Sequence, residues 1–335
     1  MNSCITRIVA YLTLVSISFT VSCHKDFVKG PCPNYDIVPI SPFNDPVWYP
    51  SGQFIGFNHV PLKEINYTYG FNCPHQASYK YANDSAGFWF VHPHGSGLQR
   101  VLDRTLQTPA WSPDGKWLAF VDHDQICKIP FDGDEFDTTA IVRLTQDGRN
   151  FFPSWSPDAE WIVFDSNVDS PSGLNFIWKM TENGGKKRRI AFAPDDGATR
   201  MPFWATDYSI VYQKYTGTGR EIFQMDSSGI NNHPLTSNAD LDSYPKVSLD
   251  LQQVGYLSQK GTNGVQLWTL LQKTGLTRQL TLDGVTAYSW SPDGRIVFVK
   301  YDYSRIDEQN GTLWTMEGDG SNKVQITSNK FIITY

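Results

Sequence analysis

Beyond residue 21 the chain has no apolar run near the ~20 residues that a membrane-spanning helix needs, and only 19% of its residues are charged. A second membrane segment is excluded. Cysteine is scarce, five in 335 residues, and no two have the CxxC spacing of a zinc or redox site. There is no G-x-S-x-G elbow, no HExxH helix and no phosphate-cradling glycine loop, so three common catalytic signatures are missing. Excess positive charge is missing too: 28 basic against 34 acidic residues give a net charge of -6. That balance argues against nucleic acid as a partner and against charge-driven adhesion to anionic lipid.

Aromatic residues are plentiful at 14%, alongside 26 Gly and 20 Pro. This mixture suits many short strands broken by turns and disfavours an all-helical fold. With 40% hydrophobic residues the chain can build a globular core.

At the N-terminus one positive charge, Arg7, precedes the apolar run Ile8 to Val21, which ends at Ser22-Cys23. Its length and shape predict a signal peptide over residues 1–22. Thr20-Val21-Ser22-Cys23 resembles the lipobox of bacterial lipoproteins, although Thr20 replaces the usual leucine. The resemblance implies lipidation of Cys23 and a chain exported to the bacterial cell envelope as a membrane-anchored lipoprotein, with the outer membrane as its expected site. In an oxidising compartment Cys32 and Cys73, each beside proline, become candidates for a disulfide. Cys127 reads as a small buried hydrophobe.

The most informative feature is an internal repeat. Trp111-Ser112-Pro113-Asp114-Gly115 recurs as Trp155-Ser156-Pro157-Asp158-Ala159 and Trp290-Ser291-Pro292-Asp293-Gly294. Weaker copies begin at Trp48, Trp204 and Val247. Steps of 63, 44, 49, 43 and 43 residues between these anchors give a repeat of about 43 with one large insertion. In each unit a strand ends at the anchor, Ser-Pro-Asp-Gly turns the chain, and three further strands follow. Six such units predict an all-β, six-bladed β-propeller of four-stranded antiparallel blades.

These turns, each followed by an aromatic-aliphatic strand, are similar to the PD40 (WD40-like) repeats of TolB-type propellers. The resemblance covers roughly residues 45–327 and implies the fold far more than the activity. The expected organisation is a signal peptide (1–22), a linker with a candidate closing strand (23–44) and the propeller (45–335). TolB carries an additional α/β domain ahead of its propeller; residues 24–45 are too short for one, so TolB's partner activities are not carried over. Tyr35 to Ile40 and Phe331 to Tyr335 read as spare strands, either of which could close the ring by completing a blade from the opposite chain end.

Loops on a rigid scaffold commonly carry binding residues, and the face bearing the loops between second and third strands is the expected place for a site. The insertion in the first unit, about Asn58 to Ala86, reads as an aromatic flap with Tyr67, Tyr69, Phe71, Tyr79 and Tyr81. His123, Arg149, Tyr215 and Tyr301 are the other binding candidates on that face. Asp122, His123 and Asp124 are candidate metal ligands. No motif calls for an organic cofactor, and a divalent cation is the one left open. The leading functional expectation is a lipid-anchored envelope module that binds a protein or glycan. The alternatives are a propeller enzyme acting on carbohydrate, such as a lyase or glycosidase, and a structural subunit of an envelope complex.

Overall fold

In the computed structural model the described residues are 39–334, apart from 71–72, 191–196, 218, 239, 261–263 and 303–307. Cys23, Cys32 and Phe71 lie outside them, and with them the expected lipidation and disulfide.

Six four-stranded antiparallel units follow one another along the chain. Their innermost strands are Phe43–Trp48, Gln107–Trp111, Asn150–Trp155, Thr199–Trp204, Leu241–Val247 and Val285–Trp290, numbered here as blades 1 to 6. The fourth and fifth blades are joined by one parallel bridge, Arg220 with Leu241. The first begins at Phe43, two residues ahead of the expected boundary.

Blade 3 shows why the units stack. Its second strand, Trp161–Ser166, is hydrogen-bonded on both sides, so only its two faces remain to be covered. Alternate side chains of a strand point to opposite faces. Ile162 and Phe164 accordingly join Ala119, Val121 and Ile126 of blade 2, while Val163 joins Trp204, Ile210 and Tyr212 of blade 4. The continuous apolar run Ile162-Val163-Phe164 thus records a strand buried on both faces.

The repeated turn is held by its own side chains. Ser112 Oγ donates to Asp114 at 2.6 Å and accepts from the Trp117 amide at 3.0 Å. Gly115 closes the turn at φ 71°. Ser156 and Asp158 repeat the arrangement in blade 3.

Among the described residues no terminal strand completes a blade, and Tyr35 to Val38 of the first candidate closing strand lie outside them. Each blade takes all its described strands from one consecutive stretch of chain. Blades 1 and 6 meet through side chains: Phe43, Trp48, Ile55 and Phe57 pack with Val297, Val299, Leu313 and Ile326. The C-terminal strand Ile332–Thr334 pairs in parallel with Leu62–Gly70, a strand of the first-blade insertion. Its partner was unforeseen because that insertion is itself a β-hairpin, Leu62–Gly70 with Cys73–Tyr81, rather than a loop.

Candidate functional site

The innermost strands share a feature one step before the turn motif. Pro46, Pro109, Pro153, Pro202 and Pro245 each stand two residues before the anchor position, and each follows a residue at positive φ: Asp45, Thr108, Phe152, Met201 and Tyr244, at 48–54°. Proline removes a ladder donor, and in all six blades the pairing register slips at this place. Bulges re-aim side chains. Here the five bulge residues line a cavity on the propeller axis.

That cavity, of about 510 Å³, is built in tiers with one residue from each blade. At the mouth the third turn position supplies Pro50, Pro113, Pro157, Thr206, Leu249 and Pro292. The anchors Trp48, Trp111, Trp155, Trp204, Val247 and Trp290 form the next tier. Deeper are Val47, Ala110, Ser154, Phe203, Lys246 and Ser289, then the proline tier, then the bulges. Neighbouring blades are laced together in the wall. Trp155 Nε1 donates to the Ala110 carbonyl and Trp290 Nε1 to the Lys246 carbonyl, both at 3.1 Å. In the same sense the Trp204 amide of blade 4 donates to Ser154 Oγ of blade 3 at 3.0 Å.

Side chains from non-adjacent blades meet at the bulge tier. Phe152 of blade 3 and Tyr244 of blade 5 pack edge to face, with centroids 5.3 Å apart. Arg200 of blade 4 lies over the Phe152 ring at 5.7 Å and pairs with buried Asp165 at 3.6 Å. Burial raises the Asp165 pKa to about 6 despite that pairing and a hydrogen bond from the Met201 amide.

Two opposite charges approach the cavity, Asp45 from blade 1 and Lys246 from blade 5. Asn58 donates to Asp45 at 3.1 Å, and burial still pushes the carboxyl above its ordinary range. Lys246 Nζ donates to the Tyr288 carbonyl at 2.8 Å and sits 5.5 Å from that ring. Burial lowers its pKa to about 8, against the opposing pull of Asp45. The site is an apolar, aromatic- and proline-lined well with one ammonium, Lys246, and one carboxylate, Asp45, among its lining residues.

Residues 101–334 match the family model of the TolB beta propeller domain, PD40. The chain belongs to this family. The family match starts at the outer strand of the first blade, Gln99–Leu102, and covers the other five. A comparison with curated proteins gives no match. Among solved structures the PD40 chain is similar to one assigned to TolB from Agrobacterium tumefaciens, with 23% identity and a TM-score of 0.57 over 69% of this chain and 83% of that one. TolB from Acinetobacter baumannii gives 21% identity and a TM-score of 0.60, over 72% of this chain and 59% of that protein. An oligogalacturonate lyase in complex with manganese gives 11% identity and a TM-score of 0.53, over 84% and 76%. At these identities the likeness concerns the fold.

Among the described residues, none of the binding candidates expected from the sequence is a lining residue of the axial cavity of this PD40 propeller. Tyr67 and Tyr69 lie on the first strand of the side hairpin. Tyr79 and Tyr81 pack with Leu62 and Ile65 on that sheet, and the Tyr81 hydroxyl donates to the Ile40 carbonyl at 3.4 Å. Tyr301 is buried and donates to the Pro39 carbonyl, fastening the chain that leads into blade 1. Arg149 and Tyr215 are exposed. His123 and Asp124, at φ 47° and 63°, form a two-residue hairpin turn between paired Asp122 and Gln125. Asp122 accepts from Arg104 at 2.7 Å, and His123 Nδ1 lies 3.1 Å from it. Among the described residues no three His, Cys, Asp or Glu side chains gather so as to hold a metal ion. The cavity itself opens among the Ser-Pro-Asp-Gly turns, on the face opposite to the one expected to carry the site. The unread signal was the repeated proline two residues before five of the six anchors, since proline inside a strand marks a bulge.

Proposed function

We propose that this PD40 propeller is a lipid-anchored module of the bacterial cell envelope that binds a protein or glycan, with the axial cavity as its principal site. The observation carrying the reading is the apolar well: it is concave, of ligand-binding size, and ringed by exposed apolar surface where Leu249 is 54% exposed. Export and anchoring rest on the N-terminal sequence, with Cys23 as the acylated residue. The hairpin tyrosines Tyr67, Tyr69, Tyr79 and Tyr81 are a second contact surface in this reading.

The test uses the lipid-free mature chain against envelope extract and a glycan array, comparing wild type with Leu249→Asp and with a Tyr67→Ala/Tyr69→Ala double variant. Leu249→Asp should weaken capture about tenfold or more, because it puts a charge on an apolar rim, while a surface change leaves stability within about 0.5 kcal/mol. Capture unchanged in Leu249→Asp and lost in the tyrosine variant would move the site to the hairpin.

A second reading, catalysis on carbohydrate, draws on the fold likeness to the oligogalacturonate lyase. Turnover of oligogalacturonate that disappears on chelation would favour it over binding alone.

A further inference from the structure

We infer that a calcium ion is held between the carboxylates of Glu221 and Asp242, in the seam where blade 4 meets blade 5. The inference stands apart from the axial cavity and from what the module binds.

The backbone sets this seam apart. Arg220 and Leu241 are paired in parallel, the one bridge that joins the sheets of two blades among the described residues. The residues that follow them are Glu221 and Asp242, so the pairing brings two carboxylates side by side. Asn238 holds both: its amide donates to Glu221 at 2.9 Å and its side chain to Asp242 Oδ2 at 3.0 Å. Both acids are buried, at 6% and 0% exposure.

An earlier seam shows what else can fill this place. Gln125 and Glu221 each precede a residue whose amide donates to the threonine after the fourth strand, Thr145 in one blade and Thr236 in the other. Asn150 and Asp242 each stand five residues before their anchors. Between blades 2 and 3, Asn150 Nδ2 donates to Gln125 Oε1 at 3.1 Å and to the Asp124 and Asp147 carbonyls at 3.2 and 2.9 Å. A donor sits there among oxygens. Between blades 4 and 5 both amides are replaced by carboxylates, and that donor is gone.

Oxygens without partners remain. Among the described residues Asp242 Oδ1 has no hydrogen-bond partner, and neither has the Oγ of Ser258, its fully buried cross-strand neighbour. Residues paired in this way turn their side chains to one face. That face looks onto blade 4, because Tyr256, two residues before Ser258, packs there against Val211 and Ile222. From blade 4 itself Gln213, two residues beyond Val211, adds a third buried, unpartnered oxygen. Lys260 pairs with Asp240 at 3.3 Å, and no lysine or arginine among the described residues pairs with Glu221 or Asp242. A buried carboxylate without a counter-charge is costly.

The ligands select the ion. All are oxygens, which suit a hard cation. Two carboxylates match a divalent charge, and neutral oxygens such as Ser258 and Gln213, with water, can complete the shell without a third acid. Magnesium demands near-octahedral geometry and gives up its waters reluctantly, whereas calcium accepts roughly six to eight oxygens in irregular arrangements.

The probe is calcium chloride, titrated calorimetrically into the full mature chain after treatment with EGTA, beside thermal melting in Ca2+ or EGTA at matched ionic strength. Wild type should bind one ion with a Kd of about 1 mM or tighter. Its Tm should rise by about 2 °C or more at about ten times that Kd. Glu221→Gln/Asp242→Asn rebuilds the amide pair of the blade 2–3 seam, so it should bind Ca2+ about tenfold or more weakly and melt in EGTA no lower than wild type. Ser258→Ala, which touches neither carboxylate, should weaken binding about threefold. A wild type with neither heat nor Tm shift up to about 10 mM Ca2+ overturns the inference and leaves a shared proton or a buried water between the carboxylates. Binding of equal strength in the double variant also overturns it, by placing the ion elsewhere. The binding role of the module is decided separately, by partner capture with Leu249→Asp.

Discussion

Phe152 and Tyr244, 92 positions apart in the chain, meet edge to face at 5.3 Å among the bulge residues that line the axial cavity. Each stands at a bulge, before a proline, at φ 54° and 53°. Positive φ is costly for a residue with a Cβ. The strain is offset by what it positions, an aromatic pair from two blades that do not adjoin.

Phe152→Ala should remove that contact and widen the cavity. The lost pair and its buried area amount to about 1–2 kcal/mol, which corresponds to a melting temperature lower by about 2–4 °C. Acrylamide quenching of tryptophan fluorescence should rise, because the widened cavity would admit more quencher to the tryptophan tier. Unchanged quenching would mean that Phe152 does not limit access to those tryptophans.

The blade repeat was legible because its signals are local. Ser112 bonds Asp114 and the Trp117 amide within five residues, and such turns write themselves into consecutive letters. The cavity joins Asp45 of blade 1 to Lys246 of blade 5, and no local pattern carries that proximity. Ring closure brings them together. The hairpin illustrates the same limit: its tyrosines stand out in composition, but the partner strand Ile332–Thr334 lies at the other end of the chain. Pro153 and its four counterparts were local and periodic, yet were overshadowed by the neighbouring tryptophans.

One turn departs from its siblings in a way that predicts a gain. Ala159 occupies the place of Gly115 and Gly294 and adopts φ 59°, where they have 71° and 86°. Ala159→Gly should relieve that strain, partly offset by glycine's extra freedom in the unfolded chain. We expect about 0.5–1 kcal/mol of added stability by urea titration. No gain would mean that the Ser156–Asp158 bond network already absorbs the strain.

Lys246 should reveal itself in the pH dependence of stability. Its pKa in the fold is about 8, lowered from 10.5 mainly by burial, with Asp45 pulling the other way. Between these values the native protein has released a proton that the unfolded chain still holds. Stability therefore rises with pH across that window, and the penalty of the buried ammonium is fully present below pH 8. Wild type should gain on the order of 2–3 kcal/mol relative to Lys246→Met between pH 8 and 10.5. Asp45→Asn removes the one carboxylate that supports the charge, so the rise should begin at lower pH. Urea titrations at intervals across this range test both shifts. A wild-type curve parallel to that of Lys246→Met would mean that water reaches the ammonium freely. A rise confined to the wild type would identify a buried charge kept at the expense of stability.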